Sequence, residues 1–121
     1  MPVLAAKGHG RHPMPNVTIY IPADKMPQDE ALAELTERCT ELCTGILQAK
    51  AVNVHVIYVA VRHGRGHPVF AEVQFRLEPF RTQPVMERFM EELDDAIKGN
   101  TGLTARIRCF GFAVSGIHAR N

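Results

Sequence analysis

The chain has 121 residues, with 14 basic and 13 acidic side chains and a formal net charge of +1 when its histidines are neutral. At 45% hydrophobic and 22% charged residues it reads as one globular domain, able to bury roughly two-thirds of the surface its unfolded chain exposes. The small net charge argues against a nucleic-acid binder, no apolar run suits a membrane span or signal peptide, and three cysteines, which cannot all pair within one chain, point to reduced thiols in a cytoplasm-like compartment.

Residues 1–13, MPVLAAKGHGRHP, lack any helical or alternating period and any acidic residue. They are expected to form an irregular arm ahead of a folded unit spanning 14–121. A second Met-Pro pair, Met14-Pro15, stands directly before the first strand pattern, Val17 to Ile21, whose β-branched residues alternate with polar ones. Pro22 to Met26 connects this strand to a helix over 28–48, with Pro27 placed to open it. Leu32, Leu35, Cys39, Leu42, Cys43 and Ile46 form its buried stripe. The two cysteines on that stripe read as core thiols rather than as a redox or ligand pair. Val52 to Val61 reads as the second strand and runs into the loop HGRGHP at 63–68.

The plan then repeats. Phe70 to Leu77 alternates as a strand with Val73, Phe75 and Leu77 inward, and Pro84 to Lys98 is helical with Met86, Phe89, Met90, Leu93 and Ile97 inward. Glu91, Glu92, Asp94 and Asp95 read as the wet face of that helix. Asn100 to Gly102 ends it, and Thr104 to Phe112 is a fourth strand. A displacement of 56 residues lays Val17, Ile19 and Ile21 on Val73, Phe75 and Leu77, and Lys25 on Arg81.

The predicted architecture is α/β (α+β): two consecutive β-α-β units forming a four-stranded sheet. Right-handed crossovers put both helices on one face of it. The other face carries Thr18, Tyr20, Asn53, His55, Gln74, Arg76, Arg106 and Arg108, and is either solvated or covered by another subunit. Its cations suit a small carboxylate ligand. The histidine pairs His9/His12 and His63/His67 lack the partners of a good zinc site, so no metal is expected. The loop at 63–68 is either a solvated turn or the border of a pocket, with Arg62 and Arg65 available to a carboxylate. It does not have the pattern of a phosphate loop.

The segment MPNVTIYIP, with Lys25 ten residues past Pro15, resembles the start of a tautomerase-superfamily chain. The strand VNVHVIYV and the segment AEVQFRLEPFRTQPVMERF extend the likeness to the longer, two-βαβ members, with Phe80 where those have glycine before Arg81. The resemblance implies a homotrimer that uses an amino-terminal proline as general base for keto–enol proton transfer. The substrate would be a small 2-oxo or enol carboxylic acid, and no cofactor would be needed. Pro15 matches the base, and Lys25 and Arg81 match substrate-binding arginines. His55 lies where smaller members carry an arginine, and Arg76 and Arg106 complete the expected binding set. In this chain Pro15 follows Met14, so its nitrogen is an amide and has no basicity. Two readings stay open: an isomerase whose working form begins at Pro15, or a non-catalytic oligomeric module in which the arm blocks Pro15.

Overall fold

The computed structural model describes residues 14–121; the arm expected over 1–13 lies outside the described residues. Six elements follow in chain order: β1 (Asn16–Pro22), α1 (Asp29–Gly45), β2 (His55–Val61), β3 (Val69–Arg76), α2 (Gln83–Thr101) and β4 (Ala105–Phe112). The four strands form one mixed sheet in the order β2-β1-β3-β4. β2 lies parallel to β1, β4 lies parallel to β3, and the two halves meet antiparallel at the centre, where Val17 stands opposite Val73. The predicted pair of β-α-β units on one sheet is therefore the observed fold, with both helices on one face.

Alternation selects that face. Val17, Ile19 and Ile21 of β1 and Val69, Ala71, Val73 and Phe75 of β3 point toward the helices and are buried. They meet Leu35, Cys39, Leu42 and Cys43 of α1 and Met86, Phe89, Leu93 and Ile97 of α2. Each fully buried aliphatic or aromatic side chain among them contributes about 1.5–3 kcal/mol by leaving water. Both helix cysteines are free and buried, as their place on the stripe predicts.

Helix boundaries follow local chemistry. α1 opens one turn after Pro22's 3-10 connection, with Asp29 and Glu30 in its first turn, where carboxylates suit the positive end of the dipole. Pro27 precedes the helix rather than opening it. α1 ends at Gly45, short of the predicted 48, and Gln48 in the left-handed region (φ 56) turns the chain away. α2 stops at Gly102, whose φ of 74 is ready for a glycine and whose N–H returns to Lys98 O at 2.8 Å. The segment 51–53 winds as a 3-10 turn, so β2 starts at His55 rather than Val52, and Asn53 is not a strand residue.

The two halves do not repeat at one constant displacement. Asp29 and Gln83, which open the two helices, are 54 residues apart. The same displacement lays buried Val17, Ile19 and Ile21 on buried Ala71, Val73 and Phe75. Leu77 therefore has no inward counterpart. It follows the end of β3 and is 53% exposed. The helices end 56 residues apart, at Gly45 and Thr101, the displacement that lays Lys25 on Arg81, so the two halves differ in length at their helix entrances.

Among the described residues, none of the elements covers the face away from the helices. Strand pairing places Thr18 and Tyr20, His55 and Ile57, Glu72 and Gln74, and Arg106 and Arg108 there. It is more apolar than the predicted set: Ile57 and Phe110 lie on it at 43% and 45% exposure.

Candidate functional site

The antiparallel register of β1 and β3 builds one end of the molecule. Asn16 pairs with Gln74, so continuing the register outward brings Met14 opposite Arg76. Those two residues line a cavity of about 280 Å³, together with Lys50 and Asn53 from the turn before β2 and Glu78, Phe80 and Arg81 from the turn after β3. Pro15 follows Met14 in the chain but does not itself line the cavity. Its side chain is fully buried on the helix side of the sheet, and its carbonyl accepts the His55 N–H at 3.1 Å. The Met14–Pro15 peptide bond is cis.

Arg76 projects from the last position of β3 and pairs with Glu78. Arg81 is held differently. Its Nε donates to Leu47 O at 2.9 Å and its Nη1 to Arg76 O at 2.7 Å, and its guanidinium lies 5.3 Å from the Phe80 ring centroid. Burial lowers its pKa, opposed by the nearby Glu78 carboxylate, while Arg76 adds to the lowering. With two of its donor groups committed to backbone carbonyls, Arg81 ties the segment after α1 to the end of β3 and lines the cavity. One more polar group stands out here. Asn16 Nδ2 makes a long 3.5 Å contact with Gln74 Oε1, and its Oδ1 is buried without a hydrogen-bond donor.

The predicted site residues thus divide by their place on the sheet. Pro15, Arg76 and Arg81 come together at the cavity end. His55 opens β2 at the same end, but its side chain is exposed and is not part of the cavity wall. Lys25 follows the far end of β1, a strand of seven residues spanning roughly 20 Å, and lines a separate hollow with Arg62 and His63. Arg106 also lies at the far end, since its strand partner is Phe70 and Phe70 pairs with Tyr20. Lys50 and Glu78 are cavity residues that periodicity could not find, because both sit in irregular segments between elements, while Asn53, expected on the open sheet face, lines the cavity from the 3-10 turn before β2.

Among the described residues no helix is long and apolar enough to cross a membrane, and no three His, Cys, Asp or Glu side chains converge as a metal site. No protein-family model and no curated protein sequence matches the chain. Its structure does match solved ones. A fused 4-OT symmetric trimer superposes with a TM-score of 0.76 at 13% identity, covering 88% of this chain and 93% of that one. N1, a member of the cis-3-chloroacrylic acid dehalogenase family, gives 0.74 at 16% identity over 86% and 79% of the two chains. The macrophage migration inhibitory factor-like protein of Entamoeba histolytica gives 0.71 at 11% identity over 88% and 95%. At such identities the likeness is one of fold, and residues 14–121 have the fold of the tautomerase superfamily in its two-βαβ form.

Proposed function

We propose that the chain is a tautomerase-like isomerase acting on a small 2-oxo or enol carboxylic acid, with Pro15 as its base once that nitrogen is a free amine. The observation that carries this reading is the cavity lined by Met14, the neighbour of Pro15 in the chain, which brings Arg76, Lys50 and Asn53 to one end of a tautomerase-type sheet. A free α-amine titrates near 7.7–8.0, and neighbouring cations push it lower by opposing its charge. A neutral amine can accept the enol hydroxyl proton and return it to the adjacent carbon, which leaves the keto acid. Arg76 and Lys50 would hold the carboxylate and stabilise the developing enolate oxygen, and the reaction calls for no cofactor. The homotrimeric state belongs to the same proposal, supported by the trimeric form of the fused 4-OT neighbour. In one protomer Lys25 and Arg106 are too remote to contribute.

The test compares the full chain with a form beginning at Pro15, following ketonisation of a simple aryl enol acid by ultraviolet absorbance. The Pro15-initiated form is expected to accelerate the reaction, and Pro15→Ala in that form is expected to abolish the acceleration. No rate above buffer from the Pro15-initiated form sinks the enzymatic reading. The second reading, a non-catalytic oligomeric module, is favoured by one observation: in this chain the Pro15 nitrogen is an amide and its ring is fully buried. The intact mass of the protein made from its own gene separates the two. Retention of residues 1–13 supports the module.

A further inference from the structure

The proposed reaction leaves one wall of its cavity without a role. Lys50, Arg76 and Arg81 are its cations, and two of them are already engaged. Arg76 pairs with Glu78, while Arg81 commits Nε to Leu47 O and Nη1 to Arg76 O. The capacity that remains suits one carboxylate. A second would also have to approach Glu78, and like charges brought together oppose binding. The rest of a substrate must therefore lie against something uncharged.

Phe80 supplies that surface. Residues 78–81 form a β-turn closed by the Arg81 N–H on Glu78 O at 3.0 Å, with Pro79 at its second position and Phe80 at its third. The proline ring fixes φ in the first half of the turn, and Arg81, next in the chain, is held by its two side-chain hydrogen bonds. Phe80 thus stands between two fixed points. The Arg81 guanidinium lies 5.3 Å from the ring centroid, and the ring remains 38% exposed where it lines the cavity. Among the described residues lining that space, Phe80 is the one aromatic side chain, and Met14 is absent from a form that begins at Pro15. The shelf belongs to one turn of one protomer and does not involve the helix-free face of the sheet.

We infer that Phe80 is a specificity-determining residue of this site, a shelf for the substituent of the enol acid that selects a flat apolar group over a second carboxylate. The inference takes its substrate class from the tautomerase-like reading above and narrows it to monocarboxylic acids. An aryl or vinyl group gains ring contact on the shelf. A carboxylate in the same place would lose water against the negative face of the ring, without donors enough to replace that water.

Titration calorimetry of the Pro15-initiated protein with cinnamate and fumarate reads the shelf apart from the reaction. Both probes are planar propenoates, and the phenyl group of one stands where the other has its second carboxylate. Cinnamate is expected to bind about tenfold or more tighter than fumarate. Phe80→Ala should weaken cinnamate about tenfold and leave fumarate within about twofold, whereas Phe80→Tyr, which keeps the flat ring, should retain the preference. A thermal melt checks that each variant remains folded. Steady-state kinetics with the aryl enol acid and with the enol form of oxaloacetate connects the shelf to turnover. In Phe80→Ala the aryl acid should lose its advantage through KM, with kcat little changed. A parent protein without catalysis but with the cinnamate preference intact would sink the tautomerase reading and leave Phe80 as the shelf of a binding site. Catalysis with a preference that Phe80→Ala does not move would do the reverse. Fumarate binding as tight as that of cinnamate, no saturable binding of either, or cinnamate binding indifferent to Phe80→Ala overturns the inference.

Discussion

Arg81 is bonded to the backbone of Arg76, with Nη1 donating to the carbonyl oxygen at 2.7 Å, while its Nε holds Leu47 O at 2.9 Å. One guanidinium thereby closes the cavity end of the sheet onto the segment that follows α1. This makes Arg81 a clamp on the cavity wall first and a ligand for substrate second. A lysine keeps the charge but is a point donor that cannot serve both carbonyls in fork geometry. Arg81→Lys and Arg81→Ala are both expected to lower unfolding stability by about 1–3 kcal/mol, the worth of charge-assisted hydrogen bonds at a half-buried site. Urea denaturation measures it. A lysine variant as stable as the parent would leave Arg81 without the clamp role.

The three thiols predict how the fold responds to alkali. Burial pushes Cys39 and Cys43 up to about 12 and Cys109 up to about 11. In the unfolded chain a thiol ionises near 8.5. The folded values lie above the unfolded ones, so the stabilisation is complete below about pH 8.5 and is lost as pH rises toward the folded values. Each thiol contributes a slope of up to about 1.4 kcal/mol per pH unit across that window. Urea midpoints are expected to fall steeply from about pH 8 to pH 10, and less steeply in Cys39→Ala/Cys43→Ala, although that variant starts lower at neutral pH.

Alternation and helical spacing made the strands, the helices and most of the core legible. They report which side chains leave water, and little else competes with that signal in β1, β3, α1 and α2. The end of β3 was not legible, because Leu77 continues its alternation beyond the last strand residue, Arg76. Lys25 likewise matches a substrate-binding position by counting from Pro15, yet a count along the chain does not reveal that β1 carries it to the opposite end of the sheet. Lys50, Asn53 and Glu78 lie in turns whose shape depends on tertiary contacts. The partners of Arg81 are carbonyl oxygens, and a carbonyl has no signature in an amino-acid sequence.

Gly111 is fixed by its neighbours rather than by its backbone angles. A Cβ there would stand 2.6 Å from Leu77 Cδ2 and 2.9 Å from Phe75 Cζ. Leu77 is exposed and can swing aside, but the Phe75 ring is buried against the core and Gly111 is its strand partner. Gly111→Ala is therefore expected to cost modestly, and Gly111→Val about 1–3 kcal/mol, the usual penalty of overpacking. Thermal melts of the pair would show the graded loss. Equal melting temperatures for valine and glycine would mean that Phe75 is not held in place.

Glu78 sets how much of Arg76 is available to an incoming carboxylate. The two side chains pair on the cavity wall, so a substrate anion must compete with Glu78 for the guanidinium while also approaching a like charge. Neutralising the acid removes both obstacles and leaves a side chain of the same shape. In a Pro15-initiated protein, Glu78→Gln is expected to lower KM for a small enol acid several-fold with kcat little changed, because the gain is in uniform binding rather than at the reacting atoms. Arg76→Ala should raise KM, and in the double variant the Glu78→Gln gain should vanish, since it acts only through Arg76. Steady-state kinetics of the four proteins forms the complete cycle. A Glu78→Gln variant that loses kcat instead would place the carboxylate among the reacting groups, and its role in the cavity would be proton transfer rather than restraint of Arg76.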